Sequence, residues 1–206
     1  MITIIDYGAG NIKSIQNMLK KIGVMSEITK DASVVKNAKK IILPGVGHFD
    51  HGMKNLKNSG LIDILSQKVK FEKTPFLGIC LGAQLLGNKS EEGIEEGLAW
   101  IDMDIVKFDK SKMLGQQKIP HMGWNRIQIM KNGTLMKGLE SEDTRFYFVH
   151  SFHMLPKLKE SVLTSTYYGY EFVSAVQQDN IFGVQFHPEK SHYFGMQMLK
   201  NFIELN

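Results

Sequence analysis

The pentapeptide Gly78-Ile79-Cys80-Leu81-Gly82 constrains this chain more than any other stretch. It carries the only cysteine among 206 residues, with a glycine two positions to either side. An apolar run, Pro75-Phe76-Leu77, leads in, and a helix-compatible stretch, Ala83-Gln84-Leu85-Leu86, leads out. This is the layout of a nucleophile elbow: a strand ends, the chain turns sharply, and a reactive side chain stands above a helix N-terminus. The turn needs glycine on both sides, because a Cβ there would clash in the strained backbone. The helix N-terminus favours thiolate over thiol. A lone cysteine can equally be a small buried hydrophobe, and the rest of the chain has to decide between the two.

The surrounding pattern supports an α/β fold. Residues 2–5 read as a buried strand, broken by Gly8 and Gly10. Ile12, Ile15, Met18, Leu19 and Ile22 then keep helical spacing until Gly23 stops the helix. Residues 39–43 form a second strand, ended by Pro44-Gly45-Val46-Gly47. Helical patterns cover about residues 50–57 and 61–69, and residues 76–79 are the strand that feeds the elbow. Alternating strand and helix implies a parallel sheet covered on both faces. The second half carries strand-like runs at 105–108, 126–130, 146–149, 162–167, 172–177 and 181–186. Short turns such as Asp179-Asn180 imply antiparallel or mixed pairing there. A helix over about residues 193–205 closes the chain, and no linker divides it.

Composition narrows the function classes. The formal charge is +4, and the densest basic cluster, Lys36, Lys39 and Lys40, has no aromatic residues interleaved, so nucleic-acid binding is not expected. One cysteine makes no internal disulfide, which favours a reducing cytoplasm. The N-terminus lacks the basic and long apolar regions of a signal peptide. No apolar run approaches the roughly 20 residues that span a bilayer. No His, Cys or carboxylate group has metal-ligand spacing, and Gly8-Ala9-Gly10 lacks the third glycine of a dinucleotide fingerprint. Neither metal nor cofactor is expected.

A cysteine nucleophile needs a base, and the base needs an orienter. Of seven histidines, only His187 has its context right. It follows the apolar run Ile181-Phe182-Gly183-Val184-Gln185-Phe186, and Pro188 and Glu189 come after it. A histidine at a strand's carboxyl end sits where α/β folds place their ligands. A carboxylate two residues on can fix the imidazole tautomer. The competing reading is a surface turn.

The segments Gly78-Ile79-Cys80-Leu81-Gly82-Ala83-Gln84 and Gly183-Val184-Gln185-Phe186-His187-Pro188-Glu189 together resemble the class I (triad) glutamine amidotransferases. Four further segments are similar to the branch that forms the glutaminase subunit of imidazole glycerol phosphate synthase. They are Asp6-Tyr7-Gly8-Ala9-Gly10-Asn11, Pro44-Gly45-Val46-Gly47, Pro120-His121-Met122-Gly123-Trp124-Asn125 and Phe146-Tyr147-Phe148-Val149-His150-Ser151. The resemblance runs from the first strand to the last helix, and it implies one amidotransferase domain over residues 1–206. The implied fold has a central mixed, mostly parallel sheet flanked by helices, with an antiparallel portion in the C-terminal half.

The resemblance also assigns roles. Cys80 is the nucleophile toward L-glutamine, His187 the base and Glu189 its orienter. Leu81 N–H and a backbone N–H of the Val46-Gly47 turn form the oxyanion hole; the second donor comes from a loop whose glycines let a peptide flip inward. Gln84, Glu92, Gly47, Ser151 and Phe152 contact the substrate or shape its pocket, though Ser90-Glu91-Glu92 can also read as a solvated capping segment. Tyr147 and Phe148 fit a core role as well as a site role. Ammonia passes to a (β/α)₈-barrel synthase partner in histidine biosynthesis, docked on Asn11 and on His121, Met122, Gly123, Trp124 and Asn125. That last segment fits a buried strand poorly and a contact surface well; the alternative puts Trp124 in the core.

Some positions depart from the pattern. Ala83 stands where the family often has methionine, and His48 where a small residue is common. With Tyr168-Gly169-Tyr170-Glu171-Phe172 and Ser191-His192-Tyr193-Phe194-Gly195-Met196, these resemble a paralogous branch that supplies ammonia for amidino-sugar formation in surface polysaccharides. A stand-alone cysteine γ-glutamyl hydrolase and a non-catalytic binding subunit are the rivals from outside the class.

Overall fold

The computed structural model describes residues 1–113, 117–131 and 133–205. The first half alternates strand and helix: β1 (Ile2–Ile5), α1 (Ile12–Lys21), β2 (Ser26–Thr29), α2 (Ala32–Lys36), β3 (Ile41–Gly45), α3 (Phe49–Asn58), α4 (Ile62–Ser66) and β4 (Phe76–Cys80). The periodicity anticipates all but β2 and α2. β2 is a half-buried edge strand of sequence Ser-Glu-Ile-Thr, with too little apolar content to read as one. α2 is a single stretch of five residues whose N-cap, Asp31, accepts a hydrogen bond from Ser33 N–H at 2.8 Å. The helix expected over 61–69 leaves α-geometry at Ser66 and continues as a π-helical turn, Gln67–Phe71.

The second half holds α5 (Leu81–Gln84), β5 (Met103–Lys107), β6 (His121–Arg126), β7 (Gln128–Ile129), β8 (Arg145–His150), β9 (Phe152–Pro156), β10 (Val162–Tyr167), β11 (Glu171–Gln178), β12 (Ile181–Val184) and α6 (His192–Glu204). The strand expected at 126–130 is divided between the end of β6 and the two-residue β7. β9 went unanticipated, because a histidine and a proline interrupt its apolar residues. β12 stops two residues short of the expected end.

Ten strands form one sheet along the path β2-β1-β3-β4-β12-β11-β10-β7, with β9 joined to β11 and β5 to β9. β2, β1, β3, β4 and β12 run parallel. The pairs beyond β12 are antiparallel, and the β11–β12 hairpin turns at Asp179-Asn180 as expected. β6 and β8 make a separate antiparallel ribbon.

Side chains alternate across the parallel strands, so each strand feeds two cores. Ile5, Leu43 and Phe76 face one side, packed with Phe49, Leu56 and Leu65 from α3 and α4. Ile4, Ile42, Leu77 and Ile79 face the other, with Ile15 and Leu19 of α1 and Leu199 and Phe202 of α6. Each such side chain contributes about 1.5–3 kcal/mol on burial. That is enough to hold one-turn helices that would not form alone.

Pairing register sets the site. Gly45 lies opposite Cys80, and Val184 opposite Ile79, so the carboxyl ends of β3, β4 and β12 stand in a row. The elbow is pressed against β3: a Cβ on Gly82 would lie 2.0 Å from Leu43 O, and one on Gly78 would lie 2.6 Å from Gly82 O. Gly82→Ala is therefore expected to cost about 3 kcal/mol. Urea unfolding measures this, and a loss below about 1 kcal/mol would contradict the close approach.

Candidate active site

Cys80 ends β4 with φ +54° and ψ −111°, a conformation that only a strongly determined backbone imposes on a non-glycine residue. The glycines flanking it serve close packing, and the strained torsion belongs to the cysteine itself. The helix that follows, α5, has four residues, where the sequence suggested a longer one. A single turn of aligned peptides makes a small macrodipole. What it does supply are the unpaired N–H groups of a first turn, Leu81 N–H among them.

His187 is 1% exposed. Its Nδ1 donates to Glu189 Oε1 at 2.8 Å, which leaves Nε2 as the nitrogen that exchanges a proton with Cys80. Nε2 is buried and makes no well-formed hydrogen bond. Cys80 is its electrostatic partner. Burial opposes the imidazolium, but the facing Cys80 and the hydrogen-bonded Glu189, with their negative charge, outweigh it and push His187 up to about 10. A base poised but loosely aligned is usual before substrate arrives. The backbone around it is braced. His187 N donates to Tyr147 O at 2.9 Å, Ser191 Oγ donates to His187 O at 2.6 Å, and Tyr147 N donates to Ser191 Oγ at 3.0 Å.

A cleft of about 310 Å³ opens above the sulfur. Val46, Gly47, Cys80, Leu81, Gln84, Glu92, Ser151, Phe152 and His187 all line it, with Pro120, Val149 and His150. Of the catalytic, oxyanion and substrate residues expected from the sequence, only Glu189 lies off the wall, buried behind His187. The volume suits a molecule of amino-acid size. Glu92 Oε2 accepts from Phe49 N–H at 2.8 Å, which ties the half-buried Glu92 to the start of α3, while Glu91 beside it is exposed. Gln84 Nε2 donates to Phe152 O at 3.2 Å and to Gln185 Oε1 at 3.1 Å. β3 extends through Gly45, so the free turn is shorter than expected. It begins at the exposed Val46, and Gly47 has φ +105° with open space where a Cβ would point.

The β6–β8 ribbon forms one rim of the cleft. Met122 is 62% and Trp124 44% exposed, so Trp124 is not a core residue. Its indole stacks on His192 at 5.4 Å and 6°. His121, expected on the contact surface, is instead buried, because the strand's alternation turns it inward. It stacks on Tyr168 at 4.0 Å and pairs with His150 at 3.0 Å. Phe148 is core, and Tyr147 is half-buried. Asn11 is exposed at the start of α1. Sequence reasoning passed over Gln185, His150, Ser191 and Tyr7. Gln185 had a signal: alternation puts it on the same face as His187. Tyr7 had none. Its buried hydroxyl has no partner, and burial and the charge of Cys80 push its titration well above the ordinary range.

Among the described residues, no three His, Cys, Asp or Glu side chains converge where a metal ion could sit. Among the same residues, no helix is long and apolar enough to cross a membrane.

Comparison with known proteins gives the same outline. The family described as "Glutamine amidotransferase class-I" matches residues 3–205. Imidazole glycerol phosphate synthase subunit HisH 2 of Pseudomonas aeruginosa is 50% identical over 205 residues, 100% of each chain. The subunit of the same name from Methanococcus maripaludis is 55% identical over 204 residues, 99% of each. A chain of the Thermotoga maritima PurLQS structure shares the fold, with a TM-score of 0.73 at 16% identity over 98% of this chain and 96% of that one.

Burial holds His121 down to about 4, and burial and then His121 hold His150 well below its ordinary 6.5. Between about pH 6.5 and 4 the unfolded chain binds protons that these folded-state histidines refuse. Stability is therefore expected to fall as pH drops through that window. Urea midpoints at several pH values measure it, and a flat profile there would contradict the neutral pair.

Proposed function

The chain belongs to the class-I glutamine amidotransferases, and from that premise we propose that it is the glutaminase subunit of imidazole glycerol phosphate synthase, acting in histidine biosynthesis. Cys80 attacks the side-chain carbonyl carbon of L-glutamine. The C–N bond breaks, a γ-glutamyl thioester forms, and His187 passes the thiol proton to the departing ammonia. Water then cleaves the C–S bond and glutamate leaves. Glu189 stabilises the imidazolium. Leu81 N–H and a Val46 or Gly47 N–H hold the oxyanion, and Gln84, Glu92, Gly47, Ser151 and Phe152 hold the amino-acid end. The observation that carries this reading is the buried His187–Glu189 hydrogen bond at 2.8 Å behind a cleft floored by Cys80.

Ammonia needs a receiver, and the reading assigns a (β/α)₈-barrel cyclase docked on the rim. The exposed Met122 and Trp124 suit aromatic and methionine anchors, and Asn11 is exposed at the start of α1. The family's soluble chemistry and the single reduced thiol favour the cytoplasm. A second reading keeps the chemistry and changes the acceptor to a nucleotide-linked sugar. The departures at His48, Ala83 and Ser191–Met196 favour it, and one of them, His192, stacks on the rim residue Trp124.

Glutamate release from glutamine, by this chain alone and then with the organism's histidine-pathway barrel and its nucleotide ligand, tests the proposal. A low basal rate that rises by orders of magnitude is expected. No rise would transfer the assignment to the second reading, and full activity alone would favour a stand-alone hydrolase. Cys80→Ala is expected to abolish release. Trp124→Ala is expected to weaken partner activation by about tenfold or more while leaving the fold intact. Titrating the barrel into the variant measures that, and unchanged activation would remove the rim from the interface.

A further inference from the structure

We propose that Gln185 is a donor built into the nucleophile's site: its side-chain N–H holds the Cys80 sulfur as thiolate and aims it into the cleft. The proposal rests on the glutaminase reading only for the use made of that thiolate. Gln185 is fully buried, and its Nε2 lies 3.7 Å from Cys80 Sγ.

The direction of this contact follows from its neighbours. Phe152 O is a backbone carbonyl and can only accept, so Gln84 must present its nitrogen there, at 3.2 Å. The same nitrogen lies 3.1 Å from the Gln185 side chain, which must therefore present its oxygen. An amide with its oxygen toward Gln84 has its N–H₂ toward the sulfur. One carbonyl thus orients two glutamines.

A second run of bonds agrees with the first. Tyr167 O, also acceptor only, takes a hydrogen bond from Asn125 Nδ2 at 2.9 Å. That nitrogen lies 3.2 Å from His121 Nε2, which must accept. His121 Nδ1–H then donates to His150 Nε2 at 3.0 Å, and His150 Nδ1–H to Phe152 O at 2.8 Å. Both histidines need be neutral with the proton on Nδ1, and no donor is left facing a donor.

The site has use for such a donor. α5 is one turn long and supplies little dipole, and His187 Nε2 is loosely aligned. N–H bonds to an anion are roughly twice as strong as neutral ones. The side-chain amide neither takes nor gives a proton, so it orients the sulfur without competing with the base. The titratable groups around the sulfur are His187, Tyr7 and, on the cleft wall, His150 and Glu92.

Cys80 is the only cysteine, so alkylation by iodoacetamide reports one sulfur. Its rate should be followed against pH, without glutamine, in wild type, Gln185→Met and Gln185→Glu. The methionine variant is expected to react about tenfold more slowly near neutral pH, its rise displaced to higher pH. The glutamate variant should be displaced further, because a carboxylate would face the thiolate. Gln84→Met, which leaves Gln185 present but unoriented, should move the profile less and in the same direction. A folded Gln185→Met chain with the wild-type profile overturns the proposal. Should that variant not fold, the wild type labelled with ¹⁵N-glutamine decides. One side-chain amide is expected to shift with pH in step with alkylation and to lose that response in Cys80→Ala; no responsive amide overturns the proposal. A wild type that is alkylated by iodoacetamide as described yet is never modified at Cys80 by an electrophilic glutamine analogue would defeat the glutaminase reading and leave Gln185 standing.

Discussion

Everything at the site depends on one backbone constraint: Cys80 is held at positive φ where the central strand β4 stops. No local preference of cysteine favours that torsion, which costs on the order of 1–3 kcal/mol. It persists because β4 is paired on both sides, by β3 and β12, and because the residues after it cannot relax away from β3. Gly82 passes so close to Leu43 O that no side chain fits between them. The sequence Gly-Ile-Cys-Leu-Gly is thus a packing device first. Its chemical consequence is that the sulfur leaves the sheet plane and floors a cleft, with the last residues after β12 brought beside it.

Polarity is the second organising principle. The parallel half of the sheet feeds apolar side chains into a core on each face. Tyr7 aside, the polar side chains that reach Cys80 come from α5 and from the residues after β12. Each has its direction assigned by a neighbour that cannot reverse: Glu189 for His187, Phe152 O for Gln84 and Gln185, Tyr167 O for Asn125. Buried networks that are fully satisfied stabilise and specify, whereas partly satisfied ones are costly. The atoms left without partners here, His187 Nε2, Glu189 Oε2 and Tyr7 OH, lie at the centre of the proposed chemistry. Of these residues, His187 is the one that lines the cleft.

Much of this was legible in the residues. The parallel strands are continuous apolar runs, and the helices between them keep a 3.6-residue period, so β1, α1, β3, α3 and β4 stand out. The proposed triad positions stand out in the sequence because glycine, proline and a carboxylate sit at fixed offsets from Cys80 and His187. What escaped were elements held by context. β2 is a polar edge, α2 a single capped turn, and β9 a strand broken by His153 and Pro156. The ribbon strand β6 was read as surface throughout, although its alternation buries His121 while exposing Met122 and Trp124. The relay through Gln84 and Gln185 was hidden because it joins residues 101 positions apart. Only the register of β4 against β12 brings them together.

The proposed chemistry makes Cys80 the nucleophile toward a γ-carboxamide. Its most direct test is the intact mass of the chain after exposure to an electrophilic glutamine analogue, followed by peptide mapping. One adduct per chain is expected, on Cys80, slowed by excess glutamine and lost in His187→Ala. An unmodified chain, or an adduct on any other residue, would contradict it.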